Sequence, residues 1–326
     1  MIANQWYAIL ESNEVPRNKP VAVTRMGEKL VLFRDTDGKP ICLHDKCCHR
    51  GASLSKGKVM GDTIRCPFHG LEYNSSGQCV VIPANGKNAE VPKRYRVNSY
   101  PARENAGFIW IWYGETREEY PKINFIEDLT EDFSYSTVRD HWNTHYSRAI
   151  ENQLDVVHLP FVHHNSIGRG NKRIVNGPVA RYEDNKIVVW LNNEVDVGQT
   201  PLKPDEMPEP EGSPLLHFYF PNLWQNLLSD STRVVVAFAP IDDENTMMYV
   251  RLYQNIVNIP ILREIFNYFS RYGNMFILNQ DRRVVITQKP KASELIMGEK
   301  LIQGDLPIIL YRRIRDELKK DAKSYS

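Results

Sequence analysis

The chain has 326 residues, of which 42% are apolar and 25% are charged, and its formal net charge is +1. This balance is typical of a globular protein, and the length allows two domains. A net charge so close to zero gives no indication of a nucleic-acid or membrane-surface partner. No apolar run approaches the roughly 20 residues that a membrane-spanning helix needs, and the first residues lack the features of a signal peptide.

Five cysteines are present, and their positions do not form a disulfide framework. We therefore expect a reducing, cytoplasmic environment. Residues 1–115 contain short apolar runs, such as 30–33 and 108–113, separated by turn residues. This pattern predicts a small antiparallel β domain.

Two pairs of metal-ligand residues lie within this first domain. Cys47-x-His49 and Cys66-x-x-His69 each offer one thiolate and one imidazole a few residues apart. Two Cys on one iron and two His on the other are the ligands of a Rieske-type 2Fe–2S centre. Cys₂His₂ also suits a structural zinc site, although zinc fingers usually carry both His on one helix. The local Cys–His pairing favours the iron–sulfur interpretation.

The remaining cysteines are not expected to be ligands. Cys48 lies directly beside His49, too close for both side chains to reach inward. Cys42 and Cys79 are predicted to be small buried residues, which is the usual environment of a free cysteine.

Residues 141–159 show helical periodicity, with an apolar stripe on one face and Glu151, Asp155 and His158 on another. Pro160 would end this helix and allow His158 and His163 to converge on one metal. Two His and one carboxylate form the facial triad of non-heme Fe(II) oxygenases.

Spacing alone does not identify the remaining ligand, because the chain contains 40 acidic residues. It also does not separate His163 from the adjacent His164. His141 and His145 are four residues apart, a spacing that can hold zinc. We interpret this pair as packing or surface residues, because no Glu follows the first His as a metalloprotease requires.

The second domain, residues 116–326, is predicted to be α+β, with an antiparallel sheet flanked by helices. Strands are expected at residues 186–191, 216–220, 233–238 and 247–253, and helices at 261–278 and 306–320. The proline-rich segment 199–214 is predicted to be a loop, and one hypothesis makes it a lid at the substrate entrance.

Taken in order, these motifs resemble the catalytic (α) subunit of the Rieske non-heme iron oxygenase family over nearly the whole chain. The second loop matches closely, whereas the first has Cys48 where the family usually has proline. The matching segments are Asn4-Gln5-Trp6-Tyr7, Cys47-Cys48-His49-Arg50-Gly51, Cys66-Pro67-Phe68-His69-Gly70, Glu151-Asn152-Gln153-Leu154-Asp155-Val156-Val157-His158 with His163, and Asn279-Gln280-Asp281 with Gln288.

The resemblance implies a role for each matching residue. The 2Fe–2S cluster would be held by Cys47, His49, Cys66 and His69. The catalytic Fe(II) would be held by His158, His163 and Asp281. Asp155 would connect His69 of one subunit to His158 of the next, within a homotrimer.

The resemblance also implies a terminal oxygenase that receives electrons from NAD(P)H through a separate reductase, with or without a ferredoxin. The shorter α-only type favours monooxygenation of a ring-containing small molecule, by hydroxylation or oxidative demethylation. A cis-dihydroxylating dioxygenase is the alternative within the family. The alternatives from other classes are a Rieske electron-transfer protein and a zinc-binding protein.

The sequence does not distinguish an aromatic acid from an alkaloid, a sterol or another ring compound as substrate. Four aromatic residues are candidates for the pocket or the core: Phe161, Phe218, Tyr219 and Trp224. Basic residues after the second loop form either a solvated face or a docking site for an acidic electron donor. They are Lys87, Lys93, Arg94 and Arg96.

Overall fold

The structure, a computed structural model, describes residues 1–86, 88–123 and 125–324. The chain divides into two compact units, the first spanning Ala3–Phe125 and the second beginning at Ile126. The predicted boundary lies earlier, after residue 115. Residues beyond it still pack on the first unit, since the Trp6 indole donates a hydrogen bond to the Pro121 carbonyl over 2.9 Å.

The first unit is built from three antiparallel sheets. Its strands are β1 (Gln5–Glu11), β2 (Val21–Arg25), β3 (Glu28–Arg34), β4 (Pro40–His44), β5 (Lys58–Met60), β6 (Thr63–Arg65), β7 (Glu72–Tyr73), β8 (Cys79–Val81), β9 (Ser99–Tyr100), β10 (Ala102–Asn105) and β11 (Phe108–Tyr113). The strand orders are β1-β11-β10, β2-β3-β4-β9 and β5-β6-β7-β8. This confirms the predicted β domain.

An apolar core lies directly beneath the two predicted ligand loops. Phe33, Leu43 and Tyr73 are fully buried there, and Cys47 and Cys66 belong to the same cluster of packed side chains. Because the sulfur-bearing residues are part of the core, the packing of this unit fixes the position of both loops.

The second unit contains one antiparallel sheet of seven strands, in the order β12-β18-β17-β16-β15-β14-β13. The strands are β12 (Ser134–Trp142), β13 (Ile174–Glu183), β14 (Lys186–Glu194), β15 (Leu216–Tyr219), β16 (Leu223–Ser229), β17 (Thr232–Pro240) and β18 (Thr246–Gln254). The helices are α1 (Tyr146–Leu154), α2 (Leu159–Val162), α3 (Pro260–Val285) and α4 (Leu306–Ser324). The α+β prediction is confirmed, whereas β12, β13 and β16 were not predicted.

The predicted helix at 141–159 is wrong at its start. His141 and Trp142 end strand β12, where they pair with Met247 and Thr246 of β18. Helix α1 begins only after His145, whose side chain caps the helix by accepting a hydrogen bond from the Ser147 N–H in its first turn. The apolar residues that suggested helical periodicity are thus divided between a strand and a helix.

The same prediction is wrong at the helix end. Helix α1 stops at Leu154, and Asp155 has extended backbone angles, φ −71° and ψ 122°. The Asp155 carboxylate accepts hydrogen bonds from the N–H groups of Val157 and His158, over 2.6 and 3.1 Å. A short polar side chain that bonds its own backbone competes with helix formation, which accounts for the early stop.

Helix α3 is longer than predicted and contains Asp281, which was expected to follow it. The predicted loop at 199–214 is confirmed, with a single 3₁₀ turn at Pro204–Glu206. Within the described residues, no helix combines the length and apolar character needed to cross a membrane.

Candidate functional site

The two predicted ligand loops of the first unit share the same pattern of backbone hydrogen bonds. The N–H groups of Cys47 and Cys66 each donate to the carbonyl five residues further along, over 2.8 Å. Gly51 and Gly70 donate back to the cysteine carbonyls over 2.9 and 3.2 Å. Both glycines have positive φ, +76° and +74°, which favours glycine. Each loop is therefore a closed turn that holds its own ligand pair.

The four predicted cluster ligands lie together at the tips of these loops. Cys47 and Cys66 are buried, whereas His49 and His69 are exposed. The two imidazole rings are 4.6 Å apart between centroids. The sulfurs thus face the core and the imidazoles face outward, the asymmetry that a cluster with one Cys₂ iron and one His₂ iron requires.

Tyr73 contacts the first loop, and no motif in the sequence predicted this contact. Its hydroxyl lies 3.0 Å from the Cys47 sulfur and 3.2 Å from the Cys48 sulfur. It also accepts a hydrogen bond from the Cys48 N–H over 3.3 Å. Cys48 can make this last bond only because it is not proline, which lacks the donor.

Cys42 and Cys79 are buried, as predicted. Burial raises the pKa of Cys79 to about 11 and that of Cys42 further still. Both thiols therefore remain protonated near neutral pH, which agrees with a packing role.

In the second unit, the side chains of His158, His163 and Asp281, which the family resemblance implies as iron ligands, lie close together. Asp281 Oδ1 is 3.0 Å from His163 Nε2 and 3.5 Å from His158 Nε2. The two histidines flank helix α2, whose first turn contains Pro160. The proline therefore begins a helix instead of ending one, and the short helix places one imidazole at each of its ends.

Gln280 orients His163, a contact that the sequence did not reveal. His163 Nδ1 donates to Gln280 Oε1 over 2.8 Å, and Ser166 donates to the same oxygen over 2.9 Å. The Gln280 amide nitrogen donates to Asn165, which fixes the orientation of the amide. Because the ring proton is held on Nδ1, the Nε2 lone pair faces Asp281.

Two acceptor atoms, His163 Nε2 and Asp281 Oδ1, thus face each other within a buried site. Asp281 Oδ1 and His158 Nδ1 are buried atoms without a hydrogen-bond partner. Burial tends to lower the pKa of His163, but the Asp281 carboxylate and Gln280 raise it above its usual value. The site therefore attracts positive charge, and its three ligand atoms fit a metal ion with open positions.

Asp155 lies beside this group, with Oδ1 3.6 Å from His158 Nδ1. That distance is too long for a hydrogen bond. Burial tends to raise the pKa of Asp155, but the His158 imidazole and two backbone N–H groups lower it below its usual value. Asp155 is thus an ionised carboxylate held by the backbone.

Glu151 does not share the environment of Asp155, contrary to the predicted common face. Two buried arginines bind it: Arg148 from its own helix over 3.1 Å and Arg312 from α4 over 2.8 Å. Both arginines also contact Glu299, each over 2.7 Å. Glu151 therefore joins helices α1 and α4 and leaves the metal-ligand site to other residues.

A cavity of about 250 Å³ opens beside the three ligand residues. Its floor is one face of the seven-stranded sheet, and residues of α1, α2 and α3 cover it. Asn274, Ile277, Leu278 and Asp281 line it from α3 at i, i+3, i+4 and i+7, the spacing of one helix face.

The aromatic candidates have different positions. Trp224 lines the cavity. Phe218 is core, with its ring centroid 5.3 Å from that of Tyr311. Tyr219 hydrogen-bonds Gln225, and Phe161 is exposed.

The three histidines that competed for a ligand role are engaged elsewhere, and His145 caps helix α1. His164 is exposed and contacts the Phe161 carbonyl. His141 contacts the Asn245 side chain. Of the basic residues, Lys93, Arg94 and Arg96 are exposed, and Lys87 lies outside the described residues.

Family models match both units. A model of the Rieske [2Fe-2S] domain matches residues 5–101. A model of the vanillate O-demethylase oxygenase C-terminal domain matches residues 142–321, more than half of the chain.

A curated relative is the toluene-4-sulfonate monooxygenase system iron-sulfur subunit of Comamonas testosteroni. It is 32% identical over 169 residues, which cover 51% of this chain and 48% of the relative. The chain thus spans about half the length of the curated relatives that it matches.

Two solved structures are similar over nearly the whole chain. NdmB of Pseudomonas putida CBB5 has a TM-score of 0.78 at 23% identity, covering 98% of this chain and 91% of that one. Dicamba monooxygenase has a TM-score of 0.75 at 19% identity, covering 99% of each chain. At these identities, the likeness shows a shared fold.

Proposed function

Since this chain belongs to the Rieske non-heme iron oxygenase family as a catalytic (α) subunit, we propose that it is the terminal oxygenase of a multicomponent system. Its reaction would insert oxygen from O₂ into a ring-containing small molecule by hydroxylation or oxidative demethylation. The observation that carries this proposal is the convergence of His158, His163 and Asp281 at an apolar cavity.

Residues of both units fit the groups that this family uses. Cys47 and Cys66 would hold one iron of the 2Fe–2S cluster, and His49 and His69 the other. His158, His163 and Asp281 would hold Fe(II), with Gln280 fixing the His163 ring. When bound, the cluster supplies single electrons, and the mononuclear iron supplies oxygen activation.

Asp155 would connect the two kinds of centre between subunits of a homotrimer. Its carboxylate is held by two N–H groups, and its side chain remains 29% exposed. His69 is exposed on its loop. An exposed imidazole and a fixed, partly exposed carboxylate are suited to a hydrogen bond between two copies of the chain.

A reductase, with or without a ferredoxin, would deliver electrons from NAD(P)H. Lys93, Arg94 and Arg96 form an exposed basic face on the cluster-bearing unit. We place the docking of an acidic donor there, because opposite charges accelerate association. Charge reversal at Arg94 and Arg96 should slow reduction of the cluster by the donor and make the rate less dependent on salt. An unchanged rate would exclude this face as the docking site.

Monooxygenation is favoured over dihydroxylation because the second unit matches an O-demethylase oxygenase domain. The alternative, a cis-dihydroxylating dioxygenase, would use the same ligands. One ¹⁸O atom from ¹⁸O₂, found either in a hydroxylated ring product or in the formaldehyde that demethylation releases, indicates monooxygenation. Two ¹⁸O atoms in a diol indicate dihydroxylation.

The first test is the optical spectrum and metal content of anaerobically purified protein. Rieske absorption bands with about three irons per chain, two in the cluster and one mononuclear, would support the proposal. Rieske bands with about two irons that iron reconstitution cannot increase would indicate an electron carrier. A colourless protein that holds zinc would overturn the proposal.

The connecting role of Asp155 is tested by Asp155→Asn. Both metal centres should remain, while coupled turnover should fall by about 10- to 100-fold, as for other residues that support a metal ligand. Asp243→Asn changes an exposed carboxylate and serves as the control. Near-normal turnover of Asp155→Asn would remove this residue from the mechanism.

A further inference from the structure

We infer that the cavity beside His158, His163 and Asp281 takes a small uncharged substrate of one or two rings, recognised through the Asn226 amide. This inference rests on the proposed function of the site, and it narrows the substrate class. Under this inference, aromatic acids and sterols are excluded as substrates of the cavity.

Cross-strand rows of side chains form the cavity floor. In one row, Asn226 of β16 lies between Leu216 of β15 and Val234 of β17. In the adjacent row, Trp224 lies beside Val236. All five residues line the cavity. The floor is thus mainly aliphatic, and Asn226 places an amide within it.

The charges of the cavity disfavour an anion. Among the described residues that line it, none is lysine or arginine, whereas Asp155 and Asp281 are carboxylates. These two negative charges formally balance the charge of one Fe(II). A carboxylate or sulfonate would therefore lose its hydration without gaining a cationic partner, which is unfavourable in an apolar site.

The volume of the cavity limits the size of the ring system. It measures about 250 Å³. An apolar cavity of about 150 Å³ is sufficient for benzene. The extra space fits a substituted benzene or two fused rings, and the volume lies below the roughly 300–1,000 Å³ of typical ligand sites. A four-ring sterol is too large.

Unpaired polar atoms from two sides of the cavity favour a polar substituent. Asn226 Oδ1 and Trp224 Nε1 on the floor, and Asn274 Nδ2 on α3, are buried without hydrogen-bond partners. Unpaired buried polar atoms are unfavourable unless a ligand or water satisfies them. An amide, lactam or phenol on the ring can both donate and accept, as the Asn226 amide can.

The test compares matched neutral and anionic ligands by calorimetry with the full-length, iron-loaded protein. The pairs are benzamide with benzoate, and toluene-4-sulfonamide with toluene-4-sulfonate. Each amide is expected to bind at least about tenfold more tightly than its acid, a difference of about 1.4 kcal/mol. The inference would be overturned if the acids bound as tightly as the amides or more tightly. It would also be overturned if none of the four compounds bound.

Asn226→Leu tests the recognition residue. Affinity for the two amides should fall about tenfold, while naphthalene should bind as tightly as before or more tightly. Asn192→Leu changes an exposed asparagine of β14 outside the cavity and serves as the control. Unchanged amide affinity in Asn226→Leu would remove Asn226 from recognition.

Asn226→Asp provides a second variant that keeps the size of the side chain. It should weaken binding of the acids further, because it adds a third carboxylate. An acid affinity equal to that of the original protein would contradict the electrostatic argument. Retained cluster absorption and circular dichroism would show that both variants fold.

The two proposals can fail separately. If the protein has Rieske bands and mononuclear iron but prefers acids, the substrate inference fails and the proposed function stands. If the protein does not bind iron, the proposed function fails, and calorimetry with the protein as purified still shows whether the cavity prefers amides to acids.

Discussion

The two candidate metal centres are assembled in different ways. Each loop of the first unit closes through its own backbone hydrogen bonds and carries one Cys and one His. In the second unit, His158 and His163 come from one segment, but Asp281 comes from a helix far along the chain. The first centre is thus formed by two local turns, whereas the second depends on tertiary packing. Damage to the second should leave the first intact.

The largest effect is expected for Asp281→Asn, which removes the charged member of the proposed triad of iron ligands. Iron should fall from about three to about two per chain with the Rieske bands unchanged. Turnover should fall by more than the roughly 10- to 100-fold typical of residues that only support a ligand. Metal analysis and the optical spectrum check both expectations, and a loss of the Rieske bands would show that the centres are not independent.

A smaller effect is expected for Gln280→Leu, because Gln280 holds the proton on His163 Nδ1 without contacting the metal position. Affinity for the mononuclear iron should fall by about 10- to 100-fold. Iron titration of the metal-free protein measures this change. Gln288→Leu, at an exposed position eight residues further on, is the matched control. Equal affinities in the two variants would show that Gln280 does not orient His163.

Glu151→Ala tests whether packing around the second centre depends on the buried ion cluster. Removing this carboxylate leaves Arg148 and Arg312 without their main partner. The free energy of unfolding should fall by about 3–5 kcal/mol. Glu317→Ala, which removes an exposed partner of Arg313 at 3.9 Å, should cost less than about 1 kcal/mol. Similar costs in denaturant unfolding would contradict this assignment.

The smallest effects are expected for glycine substitutions in the two Cys–His loops. Gly51→Ala and Gly70→Ala each force alanine to positive φ, at a cost of about 1–2 kcal/mol. Gly70→Ala should cost more, because its Cβ would lie 3.1 Å from Pro83 Cγ, whereas at Gly51 the nearest atom is the flexible Lys46 Cε at 3.4 Å. Thermal loss of the Rieske bands measures the stability of the two variants. A Gly51→Ala variant less stable than Gly70→Ala would contradict this expectation.

The sequence was most informative where chemistry is local. The Cys–His loops could be predicted from spacing, because their candidate ligands lie within a few residues of each other. Spacing also indicated His158, whereas His163 was preferred to His164 only through the family resemblance. Asp281 was identified only through the family resemblance, since one carboxylate among 40 acidic residues has no distinguishing neighbours. Gln280 and Tyr73 act through contacts between distant segments, which spacing does not contain.

The error at residues 141–159 has a specific physical cause. Periodicity records only which residues are apolar, so it cannot predict that His141 and Trp142 pair with strand β18. It also does not include the bonds from the Asp155 carboxylate to the backbone that end helix α1. The ligand roles proposed for residues of this segment do not depend on the predicted helix, because they follow from the family resemblance.

The cavity floor offers a route to changing regioselectivity. Asn226, Val234 and Leu252 come from three adjacent strands in one cross-strand row. Neighbouring strands in a sheet are about 4.8 Å apart, close to the width of an aromatic ring. Enlarging one member of the row and shrinking the next should therefore shift a bound ring sideways by about one strand spacing. A different carbon atom of the ring would then face the proposed iron ligands, while these residues stay unchanged.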